Sequence, residues 1–169
     1  MADIDIGAVA IDRVGHSTNG ETDILKDNPA NASGTINSIE VWAAANIADL
    51  RIGIFYLVSG TDYKCRSSVD LGAVTAGSKQ TFTVDKNSNP ISLSVETGDY
   101  IGYYHTGTGY LEVDGTGGAG VWVKTGEYID PGDQATYTYY SGYIISVYGT
   151  GTTGAYIPRH SGTVGVLIF

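Results

Sequence analysis

The segment LRIGIFYL, residues 50–57, decides the fold. From Ile54 onward its apolar side chains occupy both faces of an extended chain. Successive side chains of a β-strand point to opposite faces of the sheet, so a strand with this pattern is covered on both sides. We therefore predict that residues 50–57 form a central strand.

Alternating apolar residues extend this interpretation in both directions along the chain. Ile4, Ile6, Ala8 and Ala10 share one face of residues 3–12, and residues 34–45 alternate in the same way. Turn signals recur every 8–12 residues or so, which is typical of sandwiches and barrels. We predict an all-β, jelly-roll-like antiparallel β-sandwich of about ten strands with an extended C-terminal arm. The residues expected in its core are Val41, Ile54, Phe82, Leu93, Ile101 and Val123.

Three local patterns bear on the strand boundaries. EVWAAANIADL (40–50) is rich in Ala, but the β-branched residues that flank it and the lack of a close N-cap favour strands over a helix. Ser141–Gly142 predicts a tight hairpin between strands at 135–140 and 143–149. The TGTG turn at 106–109 predicts a second hairpin, into a strand at 110–114.

Composition agrees with a single β-rich domain. The chain has 169 residues, of which 24 are Gly, with 42% hydrophobic and 16% charged residues, which is too apolar for a disordered chain. Cys65 is the single cysteine, so an intrachain disulfide is excluded. We expect the β-sandwich domain over residues 1–149, and a C-terminal arm with a terminal strand over residues 150–169.

Charge and hydrophobicity argue against two classes of partner, nucleic acids and membranes. The net charge is −9, and the nine Lys and Arg residues are scattered, so the basic patch that nucleic-acid binding requires is missing. No stretch approaches the roughly 20 apolar residues that span a membrane. The N-terminal MADIDIGAVAID has acids where a signal peptide has bases, which predicts synthesis in the cytoplasm.

One segment has the ligand spacing of a calcium loop. Asp85, Asn87, Asn89 and Glu96 fall at EF-hand spacing, but Pro90 stands where that loop needs Gly. An Asx-rich β-turn is the favoured interpretation, and a Ca²⁺ site near Asp85 stays open. A looser site at Asp130 and Asp133 is no better supported, and we predict neither a required metal nor a cofactor.

Nucleophilic catalysis has little support. No serine stands in a G-x-S-x-G turn. Cys65 alternates with Lys64 and Arg66, which places the bases on the opposite face and predicts a buried, inert thiol. The three histidines fall in a loop, at a strand end and in the arm: His16, His105 and His160.

Paired carboxylates give no better case for an enzyme. Glu112 and Asp114 share one face of a strand, whereas glycosidases need carboxyls that face each other across a cleft. We expect both Glu112 and Asp114 to be solvated charges at a strand edge. We predict no catalytic residues and a non-enzymatic protein.

Exposed aromatic residues and the apolar tail are the candidate interface. The flat rings of exposed tyrosines suit binding to proteins and to sugars, although tyrosines also fill space in β-sandwiches. The tail TVGVLIF is apolar on both faces, which predicts an ordered strand, either in the first sheet or on another subunit. The interface candidates are Tyr100, Tyr104, Tyr110, Tyr140, Val164, Val166, Leu167, Ile168 and Phe169.

Six phrases in the chain carry a family resemblance. They are DNPANASGTINSIEVW (27–42), RIGIFY (51–56), KCRSSVDLGAVTAGSKQTFTV (64–84), VETGDYIGYY (95–104), GVWVKTGEYID (120–130) and ISVYGTG (145–151). Through these six phrases, residues 3–150 resemble uncharacterised β-sandwich domains encoded in environmental tailed-phage and prophage genomes. The resemblance implies a virion surface or fibre component and transfers no active-site residue.

Together these observations predict a non-enzymatic structural protein. We expect a virion surface component, such as a capsid decoration or fibre protein, that contacts its own copies or other virion proteins. The alternatives are a module that binds a surface glycan, and a subunit of an extracellular filament assembled by strand donation. The expected location is the virion. For a glycan-binding module or a filament subunit, the expected location is the extracellular space.

Overall fold

Every regular element in residues 4–154, which the computed structural model describes, is a β-strand. The strands are β1 (Ile4–Gly7), β2 (Gly15–His16), β3 (Glu21–Leu25), β4 (Gly34–Ala45), β5 (Ile47–Ser59), β6 (Asp62–Val74), β7 (Lys79–Phe82), β8 (Leu93–Val95), β9 (Tyr100–His105), β10 (Tyr110–Thr125), β11 (Gln134–Thr136), β12 (Thr138–Ile145) and β13 (Val147–Thr153).

The strands form two antiparallel layers, which are connected where β10 pairs with β4. The first layer has the order β1-β13-β4, with β7 and β8 also paired to β4. The second has the order β10-β3-β9-β5-β6-β11, and β2 and β12 also pair with β10. The start of β10 pairs with the end of β4, which connects the layers into one hydrogen-bonded network. The predicted all-β, antiparallel, sandwich-like fold is confirmed, and residues 40–50 contain no helix: they belong to β4 and β5, which Asn46 separates.

The main core lies between the two layers. One buried cluster contains Ile36 and Ile39 of β4 from the first layer together with Ile52 of β5 and Ile101 of β9 from the second. Four of the six predicted core residues are fully buried: Val41, Ile54, Leu93 and Ile101. Phe82 and Val123 pack against this core but are only half-buried, because each lies at its margin.

A second, smaller core covers the outer face of the second layer. β5 pairs with β6 and β9 on its two edges, and Ile54 points into the main core while Phe55 points away from it. The prediction of a central strand covered on both faces is confirmed as far as Phe55, whereas Leu57, at the end of the predicted strand, is 50% exposed. The buried members of this second core are Ile24, Phe55, Tyr63, Cys65, Trp122, Ile129 and Tyr137.

Two predicted hairpins are wrong. β12 continues through Ser141–Gly142, because Gly142, at φ +85°, takes part in a bulge opposite Gly118 and does not form a turn. A Cβ at Gly118 would lie 2.2 Å from the carbonyl oxygen of Tyr143, so glycine lets the two bulged strands approach. The turn at 106–109 is not a hairpin either, since β3 lies between β9 and β10.

The last strand extends past the predicted domain boundary at residue 149. Gly151 of β13 lies opposite Ile4 of β1 and Ile36 of β4, so residues 150–153 belong to the first layer. The remainder of the predicted arm lies outside the described residues, as do the tail interface candidates Val164, Val166, Leu167, Ile168 and Phe169.

Candidate functional site

A cavity of about 250 Å³ opens on the second layer, where β3, β9, β10 and β12 meet. β3 and β9 form its floor, and β12 contributes its outer rim. The residues that line it are His16, Ser17, Thr18, Glu21, Asp23, Tyr103, Val113, Val121, Val123, Tyr140, Tyr143 and Ile145.

Asp23 and Tyr103 form the polar centre of this cavity. They are direct cross-strand partners on β3 and β9, which brings together side chains that are 80 residues apart in the chain. The Tyr103 hydroxyl donates a 2.5 Å hydrogen bond to Oδ2 of Asp23. Because Tyr103 is completely buried in the main core, its ring fixes the position of the carboxyl.

The second carboxyl oxygen of Asp23 has a different environment. Asp23 is only 5% exposed, and no described residue donates a hydrogen bond to its Oδ1 atom. Burial raises the pKa of Asp23 to about 7, the Tyr103 hydrogen bond opposes that rise, and the charge of Glu21 adds to it. A buried carboxyl that has one oxygen without a donor, a pKa near neutral and a place in a cavity lining is typical of a functional site.

Aromatic and aliphatic side chains complete the cavity. The rings of Tyr140 and Tyr143 meet edge to face, with centroids 6.5 Å apart, and the residues are 49% and 41% exposed. Val113 and Val121 provide an apolar wall from β10. The cavity therefore offers flat apolar surface on one side and carboxylate oxygens on the other, without a lysine or arginine in its lining.

The four predicted interface tyrosines occupy three separate settings. Tyr100 is half-buried against Trp122, at 5.0 Å between centroids, and Tyr104 lies half-buried on the same face of β9. Tyr110 packs on the His16 ring at 4.7 Å. Tyr140 alone of the four lines the cavity.

The histidines within the described residues are not brought into a catalytic pair. His16 is exposed at the cavity rim, whereas His105 is fully buried and stacks on Tyr103 at 5.9 Å. Burial lowers the pKa of His105, and neither of its ring nitrogens has a partner among residues 4–154. His160 lies outside that range.

The residues with calcium-loop spacing are directed to other partners. Asp85 Oδ1 accepts hydrogen bonds from the backbone amides of Asn87 and Asn89, both at 2.8 Å, which is an Asx-type turn. Glu96 pairs with the Arg66 guanidinium at 2.9 Å. Asp85 and Glu96 are therefore engaged by other groups, and residues 85–89 form the favoured Asx-rich turn.

A second acidic group is already bound to an arginine. Glu127, Asp130 and Asp133 bring carboxylate oxygens within 4.8 Å of one another. Arg51 donates to Glu127 at 2.6 Å and to Asp130 at 2.5 Å, so its guanidinium stands beside two of the three acids. The cluster holds the loop between β10 and β11 against β5.

Cys65 has the environment that the sequence predicts. It is buried in the second core, and its thiol donates to the Ile129 carbonyl at 3.2 Å. Burial raises the pKa of the thiol to about 12. Such a thiol is a structural group, not a nucleophile.

The prediction that Glu112 and Asp114 are solvated edge charges is wrong for Glu112. Glu112 is buried and accepts the backbone amide of Arg13 at 3.1 Å. The Arg13 guanidinium donates to Asp114 at 3.0 Å and to the Ser146 hydroxyl at 2.8 Å. Both acids therefore anchor the loop before β2.

The Asp23–Tyr103 pair is the functional feature that sequence reasoning missed. Its one sequence signal is a carboxylate inside the otherwise uncharged strand segment Thr22–Leu25, all four residues of which are buried. No described residue belongs to a helix long and apolar enough to cross a membrane. Comparison of the chain with protein-family models, with curated proteins and with solved structures finds no match.

Proposed function

We propose that this chain is a non-enzymatic structural protein that works through protein–protein contacts, as a virion surface component of the kind that the resemblance implies. The observation that carries the proposal is the composition of β12. Among the described strands β12 pairs with β10 alone, and it contains no charged residue over Thr138–Ile145.

An unprotected edge strand of this kind favours association. Soluble proteins shield sheet edges with short strands, charges or proline, because exposed backbone groups otherwise pair with another chain. The other outer strands follow that rule: β1 has four residues and contains Asp5, and β11 has three residues. β12 has eight residues and exposes three tyrosines, Tyr139, Tyr140 and Tyr143, in a protein of net charge −9.

The mass of the protein in solution tests this proposal. We expect wild-type protein to form oligomers by size-exclusion chromatography with light scattering, and Ser141→Lys, which puts a charge on the edge of β12, to be a monomer with an unchanged melting temperature. Ser92→Lys adds the same charge at an exposed position outside β12 and should remain oligomeric. Monomeric wild-type protein at high concentration would contradict the proposal.

The apolar tail is the candidate strand donor within this proposal. Since residues 150–153 belong to β13, the informative deletion starts at residue 155. Removal of residues 155–169 should leave a folded monomer if the tail pairs with another subunit. If full-length and truncated proteins are both monomeric and the truncation lowers the melting temperature, the tail is an internal strand.

The cavity favours a second candidate function, recognition of a surface glycan. Tyr140 and Tyr143 offer flat ring surface, and Asp23 and Glu21 offer acceptor oxygens for sugar hydroxyls. Binding of the labelled protein to a glycan array tests this candidate. Signal that is lost in Tyr143→Ala and kept in Tyr56→Ala, which alters a tyrosine outside the cavity, is the expected result.

A further inference from the structure

We propose that the cavity binds the ammonium group of a small amine-bearing ligand, with Oδ1 of Asp23 as its acceptor. The inference deepens the glycan-binding candidate, since it rests on the same cavity and names the chemical group that the cavity selects. An amino sugar and a simple alkyl amine both carry that group.

The hydrogen bonding of Asp23 leaves a place for a ligand donor. A carboxyl that is 95% buried normally has partners on both oxygens, and each exception calls for an explanation. Here Tyr103 satisfies Oδ2, while Oδ1 receives no hydrogen bond from residues 4–154 and belongs to a residue that lines the cavity. A donor from a ligand would complete the set.

The charges on the cavity wall favour a cation. Two carboxyls, Asp23 and Glu21, line it from the same strand, and its lining contains no lysine or arginine. The rings of Tyr140 and Tyr143 stand at the rim, and aromatic faces attract organic cations. Carboxylates together with tyrosine rings select a cation over an anion of the same size.

One wall of the cavity is apolar. Val113, Val121 and Ile145 form a surface without polar side-chain atoms on the β10 and β12 side. A compact metal ion makes no use of such a wall, whereas the carbon frame of an organic amine is buried against it. The lining therefore matches an ammonium group attached to a small carbon skeleton.

Binding of a cation is linked to the proton on Asp23. The ionisable groups around this carboxyl are the Tyr103 hydroxyl on β9, Tyr137 just before β12, and Glu21, His16, Tyr140 and Tyr143 in the lining of the same cavity. An ammonium ion binds the ionised carboxylate, so amine affinity should fall as the pH drops below about 7, by roughly tenfold per pH unit. His16→Asn removes the imidazole at the rim of the cavity, and the pH profile should survive that change.

The test uses the full chain and two pairs of probes. Glucosamine is compared with glucose, and n-butylamine with 1-butanol, by NMR titration of ¹⁵N-labelled protein at pH 7.5, where Asp23 is mostly ionised and glucosamine still has a large ammonium fraction. We expect each amine to bind at least tenfold more tightly than its neutral partner, with shifts at the amides of β3 and β12. Asp23→Asn should weaken amine binding at least tenfold, and Asp12→Asn, which removes an exposed acid outside the cavity, should not.

The outcomes separate this inference from the function on which it rests. If glucose binds as tightly as glucosamine, the preference for an amine is wrong and the glycan candidate stands. If n-butylamine binds and neither sugar does, the preference stands and the glycan candidate falls. Failure of every probe, or equal binding by Asp23→Asn, overturns the inference. If Asp23→Asn does not fold, the wild-type comparison of amine with neutral probe decides.

Discussion

Truncation of Phe55 to alanine should remove the key residue of the second core. The Phe55 ring is fully buried and lies over Gly53 and Gly102, on neighbouring strands β5 and β9. A Cβ on either glycine would lie 2.8 Å from Cε2 of the ring, so the ring fits here because these two residues have no side chain.

The expected loss follows from burial and from the space left behind. Somewhat over 100 Å² of buried ring, at roughly 25 cal/mol per Å², contributes about 3 kcal/mol. The glycines have no side chains to fill the gap, and an unfilled space of about 80 Å³ costs about 2 kcal/mol more. Phe55→Ala should therefore lower the free energy of unfolding by about 5 kcal/mol in urea denaturation followed by circular dichroism.

A matched control and a double-mutant cycle sharpen this prediction. Leu57→Ala changes the same strand at a side chain that is 50% exposed, and should cost under about 1 kcal/mol. Gly53→Ala should destabilise wild-type protein by crowding the ring, and should cost at least about 1 kcal/mol less in the Phe55→Ala background. A loss below about 1 kcal/mol for Phe55→Ala, or equal costs of Gly53→Ala in both backgrounds, would refute the reasoning.

Three further outcomes follow from individual residues. The native state binds a proton at Asp23 with a pKa of about 7, against 3.8 for an unperturbed carboxyl. The free energy of unfolding of wild type, relative to that of Asp23→Asn, should therefore rise as the pH is lowered from about 7 to about 4. Urea denaturation at several pH values measures this difference. A difference that falls over that range would contradict it. Phe82→Ala should cost about 1–2 kcal/mol and not the 3–5 of a fully buried ring, because Phe82 is half-buried, and a larger loss by the same assay would show that it belongs to the interior. Cys65 should resist iodoacetamide at pH 8 until urea unfolds the chain, as mass spectrometry would report, and rapid alkylation of folded protein would refute its burial.

Strand existence and phase could be predicted from the sequence because burial of a sheet face imposes a period of two. That pattern placed Ile4 and Ile6 on one buried face, and Ile54 in the centre of the second layer. The pattern contains no information about which glycines end a strand. Gly118 and Gly142 produce a bulge and not a turn because they lie opposite each other, a long-range relation that no local signal encodes.

The cavity illustrates the same limit at the level of function. Asp23 and Tyr103 become partners only through the pairing of β3 with β9. The sequence shows Asp23 only as one charge among the uncharged residues of Thr22–Leu25, and it contains no sign that one carboxyl oxygen would be left without a partner. Glu112 was misjudged for a related reason, because the Arg13 loop that covers it is distant in sequence.

Concentration-dependent hydrogen–deuterium exchange of β12 tests the proposed function most directly. Pairing of the β12 edge with another chain would protect the amides of Thr138–Ile145 that point away from β10, while the inward amides are already bonded to that strand. The proposal predicts that protection of these outward amides rises with protein concentration in wild type and is lost in Ser141→Lys. Exchange that is fast and independent of concentration in both proteins would contradict association through this edge.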